Sequence, residues 1–477
     1  MNQTLDVMEL KQRFAEAGQA QVFRFWEELS KEERARLLDR ARQIDLVEVD
    51  RLVKAHVNQT VKEQNSFEGL EPAPYIPFPQ HGGDAAEWAR ARQAGEEALS
   101  AGRVAAFTVA GGQGTRLGYD GPKGTYPVTP VTKKPLFQVF AEKIARSAER
   151  AGAPIHWFIM TSEINHAATV EAFEEAGYFG LKEEEVHFFP QGLVPAVDSE
   201  GKILLSDKDL IAMTPDGHGG SLRALVRSGA TAKMTELGVD CISYFQVDNP
   251  LVQCLDPLFI GFHLLGNSEL SSKMVPKAYP SEKVGHFCLR NGQHEVIEYS
   301  DLPVEKQEET LEDGSLRFVA GSVAIHVFSR SFVERLGGGD GELPFHRADK
   351  KIPFVNADGE VEKPETPNGI KFEMFVFDAL PMAKNPVIIE GDRTQDFSPV
   401  KNAEGIDSPQ SCAEDQIRMF TGWLSDAGVE LDRDESGLPG ITFEISPAFA
   451  CDRADFLTRW AKLDEKPDIV EGTVIGG

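Results

Sequence analysis

The stretch VAAFTVAGGQGTRLGYDGPKG, residues 104–124, decides the fold. Its first six residues form an apolar run of strand length, and LFQVFAEKIARSAER (136–150) carries apolar side chains at helical spacing. After the strand, residues 110–128 hold Gly111, Gly112, Gly114, Gly118, Gly121 and Gly124, with two cations, Arg116 and Lys123. Strand, glycine-rich loop and helix in that order put the loop at the carboxyl end of a sheet strand, where open α/β sheets bind ligands. Gly111, Gly112 and Gly114 let backbone amides approach a ligand closely. Successive amides in such a turn make an anion-binding concavity. A guanidinium can bracket phosphate oxygens, and an ammonium adds a point charge.

Two common phosphate loops are excluded. The pattern G-x-G-x-x-G from Gly112 would need glycine where Leu117 stands, and a Walker A loop would need Gly-Lys-Ser/Thr where the chain has Pro122-Lys123-Gly124. A dinucleotide fold and a P-loop ATPase are therefore not expected.

Outward from the loop, short apolar runs alternate with helical stretches. IHWFIMTS (155–162), INHAATVEAFEEAG (164–177), VHFFPQ (186–191), ATAKMTELG (230–238) and CISYFQVDN (241–249) continue the pattern. Strand then helix, repeated, predicts an α/β fold with a mostly parallel sheet covered on both faces. Gly152 and Gly177 stand where helix ends are expected. HFCLRNGQHEVIEYS (286–300) reads as a hairpin turning at Asn291-Gly292, and FVAGSVAIHVFS (318–329) as a further strand.

Residues 1 to about 65 read as helical, with a capping box from Ser30 to Glu33 and apolar Leu37, Leu38, Ala41 and Ile44 behind it. A Pro- and Gly-rich connection follows at 66–83. The last 80 or so residues hold two helical stretches around the strand-like ITFEIS (441–446). The expected division is a helical region and linker over 1–85, a catalytic domain over 86–395 and a small C-terminal domain over 396–477. A chain of 477 residues accommodates about three such parts.

The formal net charge of -27 argues against a nucleic-acid surface and against binding to anionic membranes. A protein this acidic must hold a polyanion through local amides, a few placed cations or a metal ion. No apolar run approaches the ~20 residues that span a bilayer, and the start lacks the pattern of a secretory signal. Cys241, Cys254, Cys288, Cys412 and Cys451 are scattered and odd in number, which reads as reduced thiols in a cytoplasmic protein.

GGQGTRLG followed by PKG resembles the signature loop of the UTP-dependent sugar-1-phosphate uridylyltransferases (the UDPGP type), especially the eukaryotic-type UDP-N-acetylglucosamine pyrophosphorylases. QGLVPA (191–196), PDGHGG (215–220), FQVDNPLV (245–252), VIEYSDL (296–302), AGSVAIHVF (320–328), IKFEMFVFD (370–378) and FSPVKNAEG (397–405) follow in that family's order. The resemblance spans about residues 100 to 405. It implies a Rossmann-like, GT-A-like nucleotide-binding core. It also implies attack of a sugar 1-phosphate oxygen on the α-phosphorus of UTP, with magnesium (Mg2+) and loss of pyrophosphate. Such chemistry asks for positioning and charge neutralisation more than for a nucleophilic side chain.

The resemblance also implies roles. Amides of Ala110, Gly111 and Gly112 would face the uridine and phosphates. Arg116 would stabilise the departing pyrophosphate, and Lys123 would contact the α-phosphate. Gln191 and Gly217 would read uracil and ribose; a carboxamide suits an imide edge because it donates and accepts at once. Asp248 would hold magnesium, although alone it also reads as a turn aspartate at a strand end. Lys371 and Lys401 match two basic positions near the phosphates. Phe375 and Phe377, alternating in FEMFVF, read as a core pair.

Two departures bear on the sugar. His218 and Ser322 stand where the N-acetylglucosamine enzymes typically carry Asn, and histidine in a GHG segment is typical of glucose-using relatives. Glu298 in VIEYS points back to the N-acetylhexosamine branch. His218 reads as a sugar-binding group or as a neutral histidine bonded to backbone, and not as a general base, since the attacking phosphate is already anionic. The leading expectation is formation of UDP-N-acetylglucosamine. The alternatives are use of glucose 1-phosphate or several sugar phosphates, a UDP-sugar-binding regulator without catalysis, and a glycosyltransferase. Asp248-Asn249 is not the DxD of many members of that last class. The oligomeric state is not legible.

Overall fold

The computed structural model describes residues 2–58, 67–339 and 342–476. Residues 59–66, the end of the predicted helical region and the first residue of the predicted connection, lie outside the described residues.

Val104–Val109 sits inside a 10-stranded mixed sheet. It pairs in parallel with Trp157–Thr161 on one side and Cys241–Gln246 on the other, and Val186–Pro190 continues the parallel run. These four strands are the apolar runs that alternate with helices in the sequence. In the first three the side chains are buried along nearly the whole length, as required of strands covered on both faces, while Val186–Pro190 at the end of the run is buried only at Val186 and Phe189. Antiparallel strands extend the sheet beyond Cys241–Gln246: Ala320–Ser329, Leu270–Pro276, Gly285–Arg290, Gln293–Ile297 and Leu70–Pro72. Val387–Glu390 joins Leu270–Pro276 in parallel.

Local signals act where expected. The Leu136–Ala151 helix ends at Gly152 with φ 67°, the left-handed C-terminal conformation that glycine adopts without strain. The hairpin pairs Arg290 with Gln293 and turns through Asn291 (φ 53°) and Gly292 (φ 80°), the two positive φ values of a type I′ turn. The Ser30–Glu33 capping box starts Lys31–Gln43. One irregularity has no sequence signal. Leu270–Pro276 and Ala320–Ser329 slip register between Ser272 and Met274, and Ala324 opposite takes φ 55°, a β-bulge that bends its strand.

The chain divides into two compact units, and the division cuts across the expected boundaries at 85/86 and 395/396. The first unit gathers residues 1–68, 191–221 and 343–376. Within it the Gln19 carboxamide donates to Gly201 O and accepts from the amide of Ile203, and Arg36 pairs with Asp209 at 2.7 Å. Val197 pairs with Ile370 through two backbone bonds. The N-terminal helices thus share a unit with two excursions from the middle of the chain. The second unit holds the sheet and the C-terminal segment. That segment builds a cluster from Phe420, Trp423, Phe443, Phe456 and Trp460, which also takes in Leu251 from the sheet portion.

No helix among the described residues is long and apolar enough to cross a membrane. All five cysteines are free and buried.

Candidate functional site

The glycine-rich loop leaves the carboxyl end of Val104–Val109, and Asp248 leaves the carboxyl end of the adjacent parallel strand, paired in register up to Val109 and Gln246. Two neighbouring parallel strands therefore deliver the loop and the carboxylate to one edge of the sheet. Lys123, on the short turn Lys123–Thr125, places its ammonium 3.5 Å from Asp248 Oδ2. The amide of Val400 donates to the carbonyl of Asp248 at 2.8 Å, which brings Lys401 in beside it from a third segment. The Lys401 ammonium stands 5.5 Å above the Phe397 ring, and its amide donates to the carbonyl of Asp407 at 2.7 Å. Asp407 faces the charges of Lys401 and Asp248, and burial raises its carboxyl above the usual range.

The glycines in the loop differ in their reasons. A Cβ at Gly124 would overlap the ring of Phe137, and one at Gly114 would stand 2.7 Å from the Tyr119 ring. Gly112 faces open space. The amides of Gly111 and Gly112 donate to no acceptor among the described residues. Ala110 departs from the expectation. Its amide donates to the carbonyl of Met160 at 2.7 Å, so it still belongs to the sheet and cannot serve a ligand. Arg116 is exposed on the Thr115–Leu117 turn and makes no hydrogen bond or ion pair with the described residues.

Asn165 holds the loop in place and was not picked out from the sequence. Fully buried, it donates from Nδ2 to the carbonyls of Ala110 (2.9 Å) and Gly112 (3.2 Å). An Asn just before a helix reads as a cap, yet it makes no capping bond to His166–Glu175. Glu298 and Ser322 flank Gly285: a Cβ there would lie 3.7 Å from Glu298 Oε1 and 3.7 Å from Ser322 Cβ. Ala320–Ser329 runs antiparallel to Cys241–Gln246 with His326 opposite Tyr244. Ser322 is thereby carried toward the edge where Asp248 emerges.

Four candidate residues belong to the first unit. Leu193–Pro195 and Met213–Pro215 pair antiparallel with Leu193 opposite Pro215, and just beyond them the amide of Asp216 donates to the carbonyl of Gly192 at 3.3 Å, next to Gln191 and Gly217 in the chain. Gly217 has φ 83° and Gly219 approaches the backbone of Met374 so closely that a Cβ would lie 2.7 Å from its carbonyl carbon. The amide of Gly219 donates to Met374 O, and that of Met374 to Asp216 O, both at 2.8 Å. PDGHGG and IKFEM are thus two sides of one backbone contact. Lys371 is half-buried on Gly369–Met374, opposite Ala348.

The amide of Val376 donates to Nδ1 of His218 at 3.2 Å. That bond places the ring proton on Nε2. Burial holds the imidazole neutral and pushes its pKa down to about 4. Phe375 and Phe377 do not act as a pair. The strand ends at Met374, so the alternation stops before them. Phe377 is buried as expected, whereas Phe375 is half-buried, stacks on His346 at 4.7 Å and lies 5.5 Å from His218.

Residues 54–411 match the family model described as UTP–glucose-1-phosphate uridylyltransferase. A UDP-N-acetylhexosamine pyrophosphorylase-like protein 1 of Xenopus tropicalis is 37% identical over 93% of this chain and 90% of its own. The UDP-N-acetylglucosamine pyrophosphorylase of Saccharomyces cerevisiae is 37% identical over 88% of this chain and 91% of its own. Among solved structures, that of the Trypanosoma brucei uridine diphosphate N-acetylglucosamine pyrophosphorylase, in complex with an inhibitor, superposes with a TM-score of 0.81. It is 26% identical and covers 98% of this chain and 97% of that one.

Proposed function

Since the chain belongs to the UTP–glucose-1-phosphate uridylyltransferase family, we propose that it joins UTP and N-acetylglucosamine 1-phosphate into UDP-N-acetylglucosamine and pyrophosphate. The observation that carries this reading is the placing of Lys123, Asp248 and the Val400–Lys401 backbone together at the end of the parallel strands. An oxygen of the sugar phosphate attacks the α-phosphorus of UTP as the bond to the pyrophosphate oxygen breaks. Lys123 neutralises the α-phosphate, and exposed Arg116 meets the leaving pyrophosphate. Unpaired amides of Gly111 and Gly112 receive phosphate oxygens. Gln191 and Gly217 read the base and ribose, Lys371 and Lys401 add positive charge, and His218, Glu298 and Ser322 are assigned to the sugar.

Magnesium fits the donor set. Among the described residues no group of three His, Cys, Asp or Glu forms a metal cage, and Mg2+ commonly takes one or two carboxylates with substrate phosphates and water. Asp248 would be its protein ligand. When bound, the cation would neutralise charge developing on the phosphates.

Use of glucose 1-phosphate is the second reading, favoured by His218 and Ser322 in place of Asn. A site built to bond one substituent rejects the analogue that lacks it. Comparing kcat/KM for the two sugar phosphates, by pyrophosphate release with UTP and magnesium, tests both. A preference for glucose 1-phosphate overturns the first. Free buried thiols support a cytoplasmic location.

A further inference from the structure

We propose that Asn249 is a positioning residue that sets Lys401 against Asp248, its carboxamide standing in for a peptide group between two chain segments. The proposal rests on the reading of Asp248 and Lys401 as residues of the phosphate end.

Asn249 is 4% exposed. Its Nδ2 donates to the carbonyl of Asp396 at 2.6 Å, and its Oδ1 accepts from the amide of Ser398 at 3.0 Å. Next along, the amide of Val400 donates to the carbonyl of Asp248 at 2.8 Å. The three bonds fall on residues 396, 398 and 400, the spacing of a strand edge, although no strand forms there. Two of the three are made by a side chain. A carboxamide can do this because it carries donor and acceptor side by side, as a peptide does. Its Oδ1 also accepts from the amide of Leu251 at 3.3 Å, which closes the turn after Asp248.

Both segments are anchored from behind. The Asp396 carboxylate takes the buried ammonium of Lys273 at 2.9 Å, and Lys273 also bonds Asp256 at 2.7 Å. Buried Lys143 donates to the carbonyls of Pro250 (2.6 Å) and Val252 (3.0 Å). The Asn249 side chain ties one anchored segment directly to the other, one residue from Asp248 and three from Lys401 along the ladder. In-line transfer depends on holding charged groups in a fixed geometry, and that tie supplies it.

The test is a double-mutant cycle. Asn249→Asp keeps the shape and the acceptor but loses the donor; Asn249→Ala loses both; Asn249→Gln keeps both groups on a longer stem and serves if the alanine variant does not fold. Each is measured in the wild-type and Lys401→Ala backgrounds, with thermal unfolding as a check on fold. Asn249→Asp is expected to lower kcat about 10- to 100-fold, with KM for UTP within about twofold. In Lys401→Ala the same change is expected to cost less than about threefold, because the group it positions is gone. Equal losses in both backgrounds overturn the proposal while leaving the reading of Lys401 intact. Full turnover by Lys401→Ala alone overturns that reading and the proposal with it.

Discussion

The ammonium of Lys123 lies 3.5 Å from the carboxylate of Asp248, with the two side chains 16% and 14% exposed. The cation expected at the α-phosphate therefore neutralises the carboxylate expected to hold the metal. A divalent cation arriving at Asp248 meets a positive charge already beside it, and charges this close and this shielded interact strongly. Lys123→Met is expected to lower kcat by about 100-fold or more and at the same time to tighten nucleotide-free Mn2+ binding, read by direct titration. Asp248→Asn is expected to abolish that binding and raise the magnesium requirement. An unchanged magnesium titration removes Asp248 from the metal site.

Arg116 is exposed and, among the described residues, carries no ion pair that its removal would break. Its replacement therefore tests catalysis with little effect on folding. If it stabilises charge growing on the leaving pyrophosphate, Arg116→Ala lowers kcat by about 100-fold or more and leaves KM for UTP nearly unchanged. Equal losses in both would assign it to ground-state binding.

His218 is expected to act as a neutral Nε2–H donor, because the Val376 amide occupies Nδ1 and the pKa lies at about 4. The profile of kcat against pH should show no limb near 6.5 that His218→Asn removes. That substitution should leave turnover high and shift the kcat/KM ratio of N-acetylglucosamine 1-phosphate to glucose 1-phosphate by about tenfold, the worth of one hydrogen bond. An unmoved ratio excludes His218 from sugar selection.

Two glycines of the loop separate packing from chemistry. Gly124→Ala drives a methyl into the buried Phe137 ring and should destabilise by about 1–3 kcal/mol in chemical denaturation. Gly112→Ala meets nothing within 4 Å. It should unfold at the wild-type denaturant midpoint yet lose activity, because the methyl lies where a phosphate would approach.

Buried histidines set an acid limit to stability. Burial lowers His263 and His286 from 6.5 to about 4. Between those values the unfolded chain binds protons that the folded chain refuses. The contribution is complete above pH 6.5 and is lost as pH falls toward 4. Each histidine should add a slope of up to about 1.4 kcal/mol per pH unit, visible in unfolding curves from pH 6.5 to 5. His263→Gln should flatten that slope by one proton's worth, and an unchanged slope would show that His263 titrates normally.

How much could be read in advance follows from the range of each interaction. The Gly152 helix end, the Asn291-Gly292 turn and the Ser30–Glu33 box are contests between neighbouring residues, and composition reveals them. Asn165 bonds a carbonyl 53 residues away, and Asn249 one 147 residues away, so nothing near either in the chain marks it. Ala110 illustrates the same limit in reverse. A residue next to a glycine loop looks ligand-facing until the neighbouring strand takes its amide.

The sequence by itself determined the class of fold, the loop at a strand end and the set of charged residues, because apolar periodicity and glycine placement act over a few residues. Tertiary structure alone decided which of those residues meet. Parallel pairing of Val104–Val109 with Cys241–Gln246 sets the loop beside Asp248. Hydrogen bonds from residues 396–400 bring Lys401 there. Chain separated by more than a hundred residues cannot announce its partner, since that choice is made by register and packing.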